Sequence, residues 1–216
     1  KAAKGSAFGN RKPLKRFDRN FYVCAFYAGE ILRQIEQPAP ESRAAKPKEE
    51  PMLDPQITTV LFDLDGTLLP MELEKFTNTY FGLLAKKAAP FGFQPEPLVA
   101  AVWKGTKAMV KNDGTETNDK RFWDTFAGEM GEEVLQLRPV FDGFYANEFH
   151  GAKAACGENP LARRAIDGLK DKGYDVVLAT NPIFPLVGVE TRLSWVGLRP
   201  EDFSYITAYE NSTTCK

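Results

Sequence analysis

Apolar and polar positions alternate with a helical period over much of this chain, and two short runs break that rule. Ile57-Thr58-Thr59-Val60-Leu61-Phe62 is apolar and β-branched without alternation, the pattern of a strand covered on both faces in a parallel sheet. It runs into Asp63-Leu64-Asp65-Gly66-Thr67. Residues 174–179 repeat the pattern and lead into Thr180-Asn181-Pro182, and a third strand is expected near residues 203–208. Between the last two, Leu186, Val189, Leu193 and Val196 share one helix face. Leu161, Ala165, Ile166 and Leu169 share another, with Asn159 as its cap, Pro160 in its first turn and Gly173 as its stop. Strand alternating with helix is the grammar of an α/β fold with a doubly wound parallel sheet.

The stretch between the first strand and Asn159 carries no strand pattern. Phe76, Tyr80, Leu83, Leu84 and Ala88 form one helical seam. Leu98, Ala101, Val102, Met109 and Val110 form a second, expected to break near Gly105. Phe122, Trp123 and Phe126, then Leu135, Phe141, Phe144, Tyr145 and Phe149, supply more. Compact domains seldom hold so long a loop without structure, so residues 71–150 are read as a helical insertion in a core formed by 57–70 and 151–216. Upstream, Phe21, Cys24, Ala25, Ala28, Ile31, Leu32 and Ile35 recur at helical spacing after Asn20, which predicts one helix in a basic segment, 1–36. Residues 37–56, with Pro38, Pro40, Pro47, Pro51 and Pro55, read as an extended linker.

Composition narrows the function classes. The 216 residues are 43% hydrophobic and 26% charged with a net charge of -1, values of an ordinary globular protein and not of a surface built for nucleic acid. Residues 1–50 hold 11 Lys/Arg against 6 Asp/Glu, a density that fits a solvated tail. No apolar run reaches the ~20 residues that span a bilayer. Cys24, Cys156 and Cys215 are odd in number and widely spaced, which argues against a disulfide scaffold or zinc site and for a reducing cytoplasm. The expected partners therefore include neither nucleic acid nor membrane; oligomeric state stays open. The chain starts on Lys1 and stops at Lys216 after a polar stretch, and is read as a fragment.

The chemistry concentrates at the end of the first strand. Ligands of open α/β sheets bind beyond the carboxyl ends of the strands. Alternation along an extended backbone points Asp63 and Asp65 the same way, and Gly66 permits a tight turn. Two carboxylates held together repel unless a cation or a shared proton intervenes, so a magnesium ion, or a raised pKa on one of them, is expected. An Asp-Gly hairpin turn fits poorly with Leu64, Leu68 and Leu69. A calcium loop fails because Leu68 stands where its turn glycine belongs.

Val60-Leu61-Phe62-Asp63-Leu64-Asp65-Gly66-Thr67-Leu68 resembles the first motif of the haloacid dehalogenase superfamily. Residues 176–181, ending in Thr180-Asn181, resemble the second; Lys216 falls where the third-motif lysine belongs; and the helical insertion resembles the C1 cap. The resemblance covers about residues 57–216 and implies a Rossmann-like core and a magnesium-dependent phosphatase of small phosphorylated metabolites. In that reading Asp63 is the nucleophile that becomes an aspartyl phosphate, and Asp65 is the acid and base. Thr180 binds a phosphoryl oxygen, and Lys216 steadies the charge. Asp63 and Asp65 hold Mg²⁺, while Gly66, Thr67 and Asn181 contact substrate. An aspartate at position 65 favours phosphate esters over haloacids. The family's fourth motif would lie beyond Lys216. Without it the chain is expected to be inactive and the first strand to keep an unpaired edge, exposed to aggregation. Alternatives are a phosphomutase of the same fold and a non-catalytic regulatory module. His150 is read as structural, and Lys104, Lys107 and Lys111 as a solvated helix face.

Overall fold

The structure, a computed structural model, describes residues 22–23 and 57–216. Its sheet has four parallel strands, β1 (Tyr22–Val23), β2 (Thr59–Phe62), β3 (Asp175–Leu178) and β4 (Tyr205–Ile206), in the order β1-β2-β3-β4. Val60 pairs with Val176 and Phe62 with Leu178, so β2 and β3 end level with each other. A parallel α/β sheet is therefore present. The order follows the chain without the reversal that defines a doubly wound sheet, because among the described strands each crossover advances in one direction.

Several expectations need correction. Tyr22 and Val23 pair with Val60 and Leu61, so the helix expected from Phe21 onward does not begin there: backbone partners on β2 override a periodic pattern. The remainder of that helix and the linker 37–56 lie outside the described residues. The same pairing covers the edge of β2 that was expected to stay open. β3 is buried on both faces from Val176 to Leu178, as expected, whereas in β2 only Val60 and Phe62 are buried and Leu61 is half-buried.

The helices follow their apolar stripes. α1 (Leu73–Ala88) buries Phe76, Tyr80, Leu84 and Ala88, and α2 (Pro95–Val110) buries Leu98, Ala101, Val102 and Met109. α3 (Asn118–Met130) buries Trp123, Phe126 and Ala127 behind a Thr117 cap. α4 (Arg138–Ala146) contributes Phe141 and Phe144. α5 (Pro160–Asp171) starts at Asn159, whose side chain accepts from the Leu161 N–H, and buries Ala162, Ala165, Ile166 and Leu169. α6 (Leu186–Trp195) buries Val189 and Leu193. Aromatic side chains dominate where α1, α3 and α4 meet, with Trp123 edge-on to both Phe126 and Phe141. No helix among the described residues is long and apolar enough to cross a membrane.

The predicted break at Gly105 is absent, since α2 runs continuously through it. This glycine serves packing. A Cβ there would sit 2.6 Å from Cδ2 of Phe122 on α3, so its absence lets the two helices approach. Gly105→Val should destabilise the fold by roughly 1–3 kcal/mol through overpacking. Urea denaturation checks it, with a lower midpoint at unchanged slope as the expected outcome.

Candidate active site

The carboxyl edge of the sheet gathers the residues singled out from the sequence. β2 ends at Phe62, and a hydrogen-bonded turn follows at once. Gly66 donates to the Leu69 carbonyl at 2.8 Å, while Leu69 and Thr67 donate back to Leu64 at 2.8 and 3.2 Å. Gly66 takes φ 80, a left-handed conformation that glycine adopts without cost. Strand alternation therefore does not carry on to Asp65; this turn, anchored by the fully buried Leu64, aims its side chain. The N–H groups of Gly66 and Thr67 are spent inside the turn, so a backbone contact from them to substrate is not on offer. Asn159 fastens the turn to α5, its amide donating to the Leu68 carbonyl at 3.0 Å.

Asp63 meets Lys216 across the full length of the core. The Lys216 ammonium donates to Asp63 Oδ1 at 2.6 Å. Its backbone N–H donates to Asn181 Oδ1 at 3.2 Å. Asn181, expected at the substrate, thus tethers the lysine. Thr180 lies two residues past the end of β3, is 1% exposed, and accepts from Thr207 Oγ1 at its carbonyl at 2.6 Å. His150 accepts from the Trp195 indole at 3.1 Å, and Lys104 pairs with Glu129 at the surface.

Arg192 is the residue that sequence reasoning missed. It lies on α6 with no solvent exposure, yet its guanidinium pairs with Asp65 Oδ2. Its Nε donates to the Gly188 carbonyl at 3.1 Å, and its plane lies 4.1 Å from the centre of the Phe184 ring. Asp65 Oδ1 and Arg192 Nη2 are buried with no hydrogen-bond partner. Unsatisfied groups of this kind call for a ligand, ion or water. The signal was present: Arg192 falls three residues after Val189 and four before Val196, inside the apolar stripe. A cation there needs an anion opposite. Cys156 lies near the same carboxylate; burial and the Asp65 charge push its thiol up to about 11.

Beside Asp65 opens a cavity of about 200 Å³. Phe76, Tyr80, Trp123, Phe126, Phe141 and Phe184 form much of its wall. Among the described residues, Asp65 and Asp142 are its only charged lining residues.

Among the described residues no group of three or more His, Cys, Asp or Glu side chains gathers to hold a metal. A closed protein cage is therefore absent there. The Asp63 carboxylate, held at the sheet edge by Lys216, is a hard oxygen donor of the kind magnesium takes while it keeps several waters and shares substrate phosphate oxygens.

No protein-family model matches the chain, and no curated protein matches its sequence. Among solved structures, a chain described as a predicted phosphoglycolate phosphatase from Haemophilus somnus 129PT is similar over 74% of this chain and 66% of that one, at 18% identity and TM-score 0.37. A likeness that loose carries no argument, and the reading below rests on this chain's own geometry and motifs.

Removing one partner of the Arg192–Asp65 pair strands the other. Arg192→Leu should destabilise the protein by about 3 kcal/mol, the low end for a buried pair because Asp65 is partly exposed. Asp65→Leu combined with it should recover more than half of the loss, which a double-mutant cycle in urea measures.

Proposed function

We propose that this chain carries the nucleophile-bearing part of a magnesium-dependent phosphatase of the haloacid dehalogenase type, which acts on small phosphate esters through a phosphorylated Asp63 and needs the fourth motif for turnover. The observation that carries this reading is the 2.6 Å contact from Lys216 to Asp63 at the carboxyl end of β2. A carboxylate at a sheet edge with an ammonium on one oxygen is a nucleophile held still, its charge balanced and its other oxygen free to attack.

Asp63 attacks phosphorus, the bond to the ester oxygen breaks, and Asp65 gives that oxygen a proton. Water then attacks the acyl phosphate, loses its proton to Asp65, and frees phosphate and Asp63. Arg192 occupies Asp65 Oδ2, and in this reading the proton travels on Oδ1, the oxygen without a partner. Thr180 donates its hydroxyl to a phosphoryl oxygen. Asn181 acts through Lys216, whose backbone it holds. The Asp63 carboxylate and the Asp65 carbonyl would hold magnesium, which would supply neutralising charge for the phosphate oxygens. The helices of 71–150 serve as the cap that shields the reaction from water.

Beryllofluoride, which mimics a phosphoryl group on aspartate, tests the reading without requiring turnover. With Mg²⁺ present, the chain should show a bound ¹⁹F resonance and a raised melting temperature. Asp63→Asn should show neither, and Lys216→Met should weaken the adduct at least tenfold. A folded wild-type chain with no bound resonance overturns the proposal.

A further inference from the structure

The cavity beside Asp65 has a chemical character that bears on the identity of the ester. Its wall is mainly aromatic, and its polar atoms are largely spent on one another. The Tyr80 and Tyr145 hydroxyls share a hydrogen bond at 2.8 Å. The Trp123 indole donates to the Tyr209 hydroxyl at 3.3 Å, and Thr106 Oγ1 donates to the Val102 carbonyl at 2.9 Å. Burial pushes the Tyr80 hydroxyl up to about 12 and raises Tyr145 well above its ordinary value, so both stay neutral. A polyol entering here would lose its water and find few partners, and each unmet group weakens binding.

Charge sorts ligands further. Among the described lining residues there are two acids and no Lys, Arg or His, and Arg192 behind Asp65 is already committed to that carboxylate, so a carboxylate-bearing group would give up its water with no cation in the lining to pair with. Size sets the last limit. An apolar cavity of about 150 Å³ holds a benzene ring, and this one, at about 200 Å³, has room for one ring or a short branched alkyl group. Only Asp65 joins the cavity to the proposed chemistry, and its Oδ1 is the buried oxygen with no partner.

We infer that this cavity is the leaving-group pocket of the site and selects a neutral, apolar group of about one ring, linked to phosphate through an oxygen set against Asp65 Oδ1. The inference rests on the phosphatase reading for its link to Asp63, but its ligand class can be tested apart from turnover. Aryl and compact alkyl phosphates are then the favoured esters. Phosphorylated sugars and carboxylates are the disfavoured ones.

Phenol and benzoate share a ring and differ in charge, which makes them the informative probes. Titrated into the full chain and followed by tryptophan fluorescence and saturation-transfer NMR, phenol should bind saturably and benzoate at least tenfold more weakly. Thr77→Phe, which narrows the cavity from α1, should weaken phenol at least tenfold while a melting curve shows the chain still folded. Thr106→Lys, which adds a cation to the lining, should bring benzoate level with phenol or above it. Absence of saturable phenol binding to the folded wild type, or equal binding of benzoate, overturns the ligand class even where the beryllofluoride adduct forms. Phenol binding without an adduct at Asp63 leaves an apolar cavity and overturns its role as a leaving-group pocket.

Discussion

A guanidinium with no access to water must find an anion inside the protein, and that requirement joins the two halves of the site. Arg192 sits on α6, and Asp65 sits on the turn after β2, 127 residues away. The cost of burying an unpaired cation far exceeds that of ordering two side chains, so the pair sets where α6 lies against the sheet edge. Phe184 shields the other face of the guanidinium, removing the solvent that would otherwise weaken the pairing. One interaction thus locates α6, orients the turn, and places a carboxylate oxygen at the mouth of an aromatic cavity.

Around that pair the local connections are short and directional. Asn159 caps α5 with its oxygen and holds the turn with its nitrogen, so one side chain sets two neighbouring elements. Asn181 does the same for the other carboxylate, its oxygen fixing the backbone of Lys216 whose ammonium reaches Asp63. Such positioning groups leave little freedom to the residues in front of them, which is what precise chemistry at a sheet edge demands. The level ends of β2 and β3, set by the pairing of Phe62 with Leu178, bring Asp63 and Thr180 out of the same edge.

What could be read from the sequence was whatever depends on local pattern. The unbroken apolar run before Asp63 marks β2, and the Asn159-Pro160 start of α5 is a local capping signal that the backbone obeys. Signals failed where a distant partner decides. Gly105 reads as a helix break because glycine is a poor helix former, yet its role is set by Phe122 on the next helix. Tyr22 and Val23 fit a helical repeat, yet β2 claims their backbone groups. Alternation along β2 suggested a common direction for Asp63 and Asp65, but the strand ends at Phe62, so the tight turn and not the pleat aims Asp65. Arg192 was passed over for the same reason: its meaning lies in a carboxylate far away in sequence. Apolar stripes interrupted by a single cation are worth reading as a demand for a buried anion.

Charge balance gives the strongest physical reason to expect a divalent cation. Asp63 is matched by Lys216 and ionised Asp65 by Arg192, so these four side chains sum to zero, as they do again once Asp65 has given up a proton in the proposed reaction. A phosphate monoester brings nearly two negative charges into that arrangement. At about 4 Å, and with the screening usual near a protein surface, each unmatched pair of like charges costs on the order of 4 kcal/mol. Lys216 offsets part of that repulsion but is itself tied to Asp63, and Arg192 is tied to Asp65. Neither can be given wholly to phosphate without exposing a carboxylate to it. A doubly charged cation restores neutrality at once and leaves both ion pairs intact, which is why the site as built suits a metal-bound dianion better than a bare one.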